Sequence, residues 1–296
     1  MIPPLLEVAG VSKTFTTGGV LGRRRVEAVK SVSFSLRREQ PEIFTIIGES
    51  GSGKSTLAKM ILGDERPTAG RLAFDGQDLA RRRSRSEQLT FLAAVQPVFQ
   101  NPFEAFNPLK RVDRYLFSTA RRLLRIKGAS EIEARSGAML RQVGLSLAEI
   151  RGRFPHELSG GQLQRIAIAR ALIPSPSLIV ADEPVSMVDA SLRMSIVNLF
   201  RSLRDELKVS IIYITHDLAT AYYISDRLII MRRGEVVEGG PARRVLDAPQ
   251  HPYTKQLKNA VLPARPLGLA LPGPDVSEAD RGRREGGFHH AIPRAQ

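Results

Sequence analysis

The sequence predicts an α/β fold: a mostly parallel sheet with helices on both faces, an N-terminal antiparallel β subdomain and an α-helical insert subdomain. Three observations carry this. Apolar runs at 43–47, 178–181 and 209–215 alternate with helix-forming segments, the pattern of buried parallel strands. The first run leads into a glycine-rich turn, Gly48-Glu49-Ser50-Gly51-Ser52-Gly53, and then a helical segment over 54–62. Gly48, Asp182, Glu183 and His216 all fall at the carboxyl ends of such runs, where ligands bind in open α/β sheets.

Taken in order, residues 5–8 and 26–36 read as strands with the alternation of a half-buried antiparallel pair. A glycine- and arginine-rich loop over 18–25 joins them. Phe15 suits either a strand aromatic or a platform for a nucleobase; its spacing favours the core. The stretch from Gly48 through Lys54, Ser55 and Thr56 is a phosphate-binding P-loop, set between strand and helix as that motif requires. Side chains at Gly48, Gly51 and Gly53 would obstruct the tight wrap of backbone around a polyphosphate. Across the turn that carries Glu49, Ser50 and Ser52, the exposed N–H groups of the turn and helix start form an anion nest, helped by the positive end of the helix dipole. Lys54 should reach the β- and γ-phosphates and the Ser55 hydroxyl should ligate Mg²⁺. A flexible glycine–serine turn ahead of a lysine is the bland alternative; both flanking elements argue against it.

Beyond that helix, 71–74 is a short strand and Asp75-Gly76 a hairpin signal. Residues 94–99 read as a strand interrupted by Pro97, ending at Gln100-Asn101-Pro102. Helical spacing follows in two segments, with Leu116, Leu123, Leu124 and Ile126 in one and Ile132, Met139, Leu140 and Val143 in the other. They form an insert over about 101–157. Leu158-Ser159-Gly160-Gly161-Gln162 then opens a helix stopped by Pro174 and Pro176. A helix over 190–207, an antiparallel pair at 227–231 and 235–238, a short helix at 241–246 and a segment at 253–261 complete a domain over 1–262. Residues 263–296, rich in Pro, Gly, Arg and Ala, read as a loosely ordered tail.

A P-loop site needs oxygen ligands for Mg²⁺ and a group to orient water. Asp182, ending an apolar strand, is the expected magnesium partner, and Glu183 the general base. By itself such a pair could simply cap the following helix. Gln100 alone reads as a polar loop residue. His216 could cap a helix, sit satisfied in the interior, or donate a hydrogen bond to the γ-phosphate. Ser159-Gly160-Gly161 is either an N-cap or a second anion nest. Two nests for one nucleotide make sense if the second serves a neighbouring subunit.

The 296 residues are 42% hydrophobic and 25% charged, ordinary for a globular protein. With no cysteine, disulfides, thiolate metal sites and thiol catalysis are excluded. No basic-then-apolar secretory leader opens the sequence and no run of eighteen apolar residues occurs, so the chain is not expected to span a bilayer. A net charge of +14 points to nucleic acid or an anionic membrane face, although the arginine clusters are scattered rather than gathered in one stripe.

The ordered set of P-loop, Gln100, Leu158-Ser159-Gly160-Gly161-Gln162, Asp182-Glu183, Asp189 and His216 resembles the ATP-binding subunit of an ABC transporter, over about 5–261. The resemblance implies a P-loop NTPase that hydrolyses ATP with Mg²⁺ and forms a head-to-tail dimer. In it, two ATP molecules lie between the P-loop of one subunit and Ser159 and Gly161 of the other. It also implies that Phe15 stacks on adenine and that Gln100 links Mg²⁺, held with Ser55 and Asp182, to the insert. Asp189 corresponds to the D-loop aspartate of the dimer contact, with Met187-Val188 in place of the commoner Ala-Leu. Gln100-Asn101-Pro102-Phe103 with Asn107-Pro108, Phe154-Pro155-His156-Glu157, and His251-Pro252-Tyr253-Thr254 are similar to the peptide/nickel importer branch. The cysteines with which some of its members hold an iron–sulfur cluster are absent. The expected partners are a second ABC ATPase subunit, transmembrane permease subunits, an anionic membrane surface on the cytoplasmic side and, indirectly, an extracytoplasmic solute-binding protein. Nucleic-acid-associated ABC ATPases carry long coiled-coil inserts or two ATPase halves, and neither is present here, so no nucleic acid is expected.

Overall fold

The structure, a computed structural model, describes residues 3–17, 24–103 and 105–261. Strands β1 (Leu6–Thr17) and β2 (Arg24–Leu36) pair antiparallel, with Leu6 opposite Leu36 and Phe15 opposite Val26. Strand β3 (Ile43–Ile47) is buried at every position, so both its faces are covered, as its unbroken apolar run requires. It feeds the glycine turn and helix α1 (Lys54–Ile61). Strands β4 (Ala69–Phe74) and β5 (Gln77–Asp78) turn at Asp75 and Gly76, with φ of 50° and 75°, the left-handed pair that a tight hairpin demands. The antiparallel sheet runs in the order β2-β1-β4-β5, so it draws two strands from beyond the P-loop rather than from the N-terminal side alone.

Helix α2 (Arg85–Ala94) is an element the apolar spacing does not show. A capping box sets it, with Ser84 accepting from the Glu87 N–H and the Glu87 carboxylate accepting from the Ser84 N–H. Strand β6 (Val95–Val98) holds Pro97 at the sheet edge, where a missing N–H is tolerated. The insert supplies α3 (Asp113–Leu123), α4 (Ala129–Gln142) and the single turn α5 (Leu147–Ile150). It has no separate core. Leu116, Ile132 and Leu140 share one buried cluster with Leu163 and Ile166 of α6 (Gly160–Leu172) and with residues beyond it.

Strand β7 (Leu178–Asp182), helix α7 (Ala190–Leu207) and strand β8 (Ser210–Thr215) follow, then α8 (Leu218–Ile224), another short helix the sequence reading passes over. Strands β9 (Arg227–Arg232) and β10 (Glu235–Pro241) form the antiparallel closing pair, ahead of α9 (Ala242–Asp247) and α10 (Pro252–Val261). The main sheet runs β10-β9-β3-β8-β7-β6, with every pair parallel except β9–β10. β3, β7 and β8 therefore end side by side at one edge. The chain to Val261 forms one unit, and the proposed tail at 263–296 lies outside the described residues.

Candidate functional site

The P-loop begins where β3 ends. Its glycines answer different needs. A Cβ on Gly48 would lie 2.3 Å from the Met231 carbonyl oxygen, and one on Gly53 would lie 2.2 Å from that of Ala28. These two glycines let the loop pack against its own neighbours, and Gly53 also borders the cleft that the loop lines. Gly51 meets nothing, but its φ of 78° is left-handed. Gly53 is also the N-cap of α1, with φ 103° and no side chain to cap the helix, so the first-turn amides are left for an anion.

Lys54 is buried, and its Nζ donates to the carbonyls of Gly48 and Glu49, each at 2.8 Å. Burial pushes its pKa down, against the pull of Glu183, Asp182 and Glu49. Next along the helix, the Ser55 hydroxyl donates to the Asp182 carboxylate at the end of β7. Burial raises the Asp182 pKa, and that hydrogen bond only partly offsets it.

Glu183 leaves the strand with a left-handed φ of 46°, its N–H bonded to the Ile214 carbonyl at 2.9 Å on β8. Beyond this turn its carboxylate meets two partners. Gln100 Nε2 donates to one oxygen at 3.1 Å, and His216 Nδ1 lies 3.0 Å from the other. An ionised carboxylate only accepts, so Nδ1 carries the proton. A neutral His216 then has a lone pair, not a proton, at Nε2. The expected donation to a γ-phosphate therefore requires the imidazolium or release of Glu183. Helix capping at this turn falls to Asp217, whose side chain accepts from the Ala219 N–H, so His216 is not the cap.

Glu49, Ser50, Gly51, Lys54, Ser55, Thr56, Gln100, Glu183 and His216 border one open cleft of about 640 Å³. Phe15 does not border it. Its partner Val26 does border a shallow recess that shares Ala28 and Gly51 with the cleft. Directly opposed residues of an antiparallel pair point to the same face, so Phe15 stands on that side, half-exposed beneath the Lys13 ammonium.

Leu158, Ser159, Gly160, Gly161 and Gln162 are absent from the cleft wall. Ser159 is exposed and caps α6 through a reciprocal pair: its Oγ accepts from the Gln162 N–H at 3.2 Å, and Gln162 Oε1 accepts from its N–H at 3.0 Å. Leu158 is buried. A Cβ on Gly161 would strike Leu192 of α7 at 2.8 Å, while Gly160 has room for one. Asp189, exposed, is the N-cap position of α7 but makes no side-chain cap. Residues outside the predicted site also touch the loop: besides Met231, the Gly234 N–H donates to the Ser52 carbonyl at 3.0 Å. The Ala28 carbonyl packs on Gly53, and the Tyr253 hydroxyl accepts from the Glu49 N–H at 3.1 Å. For Tyr253 the available signal was the His-Pro-Tyr-Thr run.

The oxygens of Ser55 and Asp182, with the Gln100 Oε1 left over from its amide donation, are hard donors that suit Mg²⁺. Among the described residues no group of three or more His, Asp or Glu side chains could cage a metal ion alone, so phosphate oxygens would have to complete the shell. A phosphate cradle with one buried lysine, a Mg²⁺-type oxygen pair and a bracketed glutamate defines a nucleotide-hydrolysing P-loop protein, with the capped start of α6 set apart from that cleft.

Comparison with known proteins narrows this class. The ABC transporter family profile matches residues 29–186. The chain is 38% identical to the nickel import ATP-binding protein NikE of Rhodospirillum rubrum, over 95% of this chain and 98% of that protein. It is 39% identical to the dipeptide transport ATP-binding protein DppF of Escherichia coli, over 87% of this chain and 76% of the relative. The structure also superposes on the post-hydrolysis dimer of the ATP-binding cassette MJ0796 bound to ADP and Pi, with a TM-score of 0.70 and 28% identity. That match covers 80% of this chain and 99% of the other. The chain belongs to the ABC transporter family, and it is an ATP-hydrolysing cassette.

Proposed function

We propose that this chain is the ATP-hydrolysing subunit that powers a peptide importer, docked on the cytoplasmic face of the membrane beneath its permease subunits. One observation carries the catalytic part of this reading: Glu183 is held by Gln100 and His216 at the mouth of the cleft that Lys54 and Ser55 line. The P-loop amides other than that of Glu49, which Tyr253 holds, bind the polyphosphate together with those of α1, and Lys54 exchanges its loop carbonyls for phosphate oxygens. Ser55, Asp182 and Gln100 hold Mg²⁺, which when bound neutralises charge on the phosphates. Each Glu183 oxygen keeps a lone pair beyond its present partner, so the carboxylate can take the proton of an attacking water. His216 fixes that carboxylate through Nδ1. Phe15 stacks on the adenine from the recess beside Ala28.

Ser159 and Gly161 serve the nucleotide of a second ATPase subunit, identical or homologous, and Asp189 contacts that subunit. Closure on ATP and reopening after hydrolysis drive the permease, which receives its solute from an extracytoplasmic binding protein. Among the described residues no helix is long and apolar enough to cross a membrane, which suits a peripheral subunit. The net charge of +14 favours an anionic headgroup surface, worth about 1 kcal/mol per well-placed cation. Nickel is the second reading for the solute, favoured by the likeness to NikE over nearly the full length of both chains.

The test is purification from native membranes in mild detergent, joined to uptake assays in a strain lacking the chain. Co-elution with multi-span subunits and loss of labelled di- or oligopeptide uptake are expected. Loss of nickel uptake with peptide uptake intact selects the second reading. Co-elution with nucleic acid in place of membrane subunits overturns both.

A further inference from the structure

The segment 250–254 stands about two hundred residues from the P-loop in sequence yet reaches it in space. Tyr253 is 5% exposed and shares a buried cluster with Ile47, the last residue of β3, and with Ile230 of β9. The Arg232 guanidinium lies 4.7 Å from the centre of its ring. From behind, the Glu238 carboxylate accepts the N–H of Gln250 at 2.8 Å and that of His251 at 3.1 Å, and the Tyr253 N–H donates to His251 Nδ1 at 3.2 Å. The ring is thus fixed by β10, β9 and its own segment. Its hydroxyl then accepts the Glu49 N–H at 3.1 Å.

Residue 49 is the first turn of the loop after Gly48. Its carbonyl is one of the two that hold Lys54, and its N–H is held by Tyr253. The Met231 carbonyl lies close enough to Gly48 that a Cβ there would stand 2.3 Å from it, so the loop entrance is packed on β9 as well. The carbonyl contact is the one that Lys54 gives up on turning to phosphate. The Tyr253 contact lies outside the cleft wall and needs no such exchange.

We propose that Tyr253 is a positioning residue for the nucleotide. By pinning the Glu49 amide it holds the P-loop in its phosphate-cradling shape ahead of binding, and so raises ATP affinity by preorganisation. This inference rests on the ATP-binding reading of the loop. The competing account, in which the ring only fills the cluster around Ile47, assigns the hydroxyl no part in nucleotide affinity.

The experiment compares the full-length parent with Tyr253→Phe, which keeps the ring and removes the hydroxyl. ATP with Mg²⁺ is titrated by calorimetry, ATPase kinetics are recorded, and melting and amide hydrogen exchange are measured without nucleotide. Loss of one such hydrogen bond predicts an ATP Kd raised about three- to tenfold. The change should appear in KM rather than kcat, with faster exchange in the peptide covering 48–54 and a melting temperature within about 2 °C of the parent. A variant that binds ATP with the parent's Kd and KM overturns the inference. So does a weaker Kd matched by a melting temperature lowered by many degrees, because that marks a folding role only. A parent that binds no ATP brings down the nucleotide reading itself, a result distinct from either of these.

Discussion

The starts of α1 at Lys54 and of α6 at Gly160, both proposed above as anion sites, are built on opposite plans. Helix α1 begins at Gly53, which has no side chain to cap it, so its amides are left to a ligand. Helix α6 begins at Ser159, which with Gln162 satisfies two of its orphan N–H groups internally. Lys54, Ser55, Asp182 and Glu183 crowd around the first start, whereas the second stands exposed and away from the cleft. The first can hold a polyphosphate alone. The second is capped internally, and on the proposed reading it adds a hydroxyl and glycine amides to a site assembled elsewhere. Such asymmetry makes sense if each start completes the other in a second subunit.

The largest expected effect falls on the first start. Glu183→Gln should lower ATP hydrolysis by about 10²–10⁴-fold, the usual worth of a general base. ATP affinity should stay within about threefold, since the amide keeps the shape of the Gln100 and His216 contacts; phosphate release and equilibrium dialysis check the two halves. Hydrolysis at the parent rate would remove Glu183 from the chemistry.

A smaller and more discriminating effect belongs to the second start. Asp caps helices as well as Ser does. Ser159→Asp should therefore leave the melting temperature within about 2 °C of the parent while placing a negative charge where phosphate is to sit. ATPase activity should fall at least about tenfold, with ATP affinity of the isolated chain unchanged. Unaltered activity would reduce Ser159 to a cap and erase the contrast between the two starts. Ser159→Ala, by comparison, loses the cap and should cost about 1 kcal/mol of stability.

The smallest effect tests the cost of holding Asp182 ready. Burial raises its pKa, so its charged form is disfavoured in the folded nucleotide-free chain. The sign follows: the folded state holds that proton more tightly than the unfolded state, so this group's contribution to stability declines as pH rises through the usual carboxylate range. Asp182→Asn should then raise the melting temperature at neutral pH by about 2 °C while ending Mg²⁺-dependent hydrolysis. A lowered melting temperature would mean that the Ser55 hydrogen bond outweighs the desolvation.

Much of this was legible because strands buried on both faces leave unbroken apolar runs, and β3, β7 and β8 are of that kind. Their shared carboxyl edge follows from the parallel arrangement alone, which is why Gly48, Asp182, Glu183 and His216 could be grouped from sequence. Helix α2 was not legible by apolar spacing. Only Phe91 on it is buried, and its real signal was the Ser84–Glu87 capping box. The rotation of Glu183 toward Gln100 and His216 was also hidden, because a left-handed φ at a glutamate leaves no mark in residue type. The contacts of Ala28 and Tyr253 with the loop are tertiary; the His-Pro-Tyr-Thr run marks Tyr253 but does not say what it touches.

The most direct measurement is the light-scattering mass of the Glu183→Gln protein with and without ATP and Mg²⁺, alone and mixed with the ATPase subunit that co-purifies with it. Pairing that appears only with ATP and vanishes when Ser159→Asp is added on the facing surfaces is the predicted result. If the mass stays that of a single chain in every mixture, or the pairing ignores both ATP and Ser159, the two helix starts do not share a nucleotide and the account is wrong.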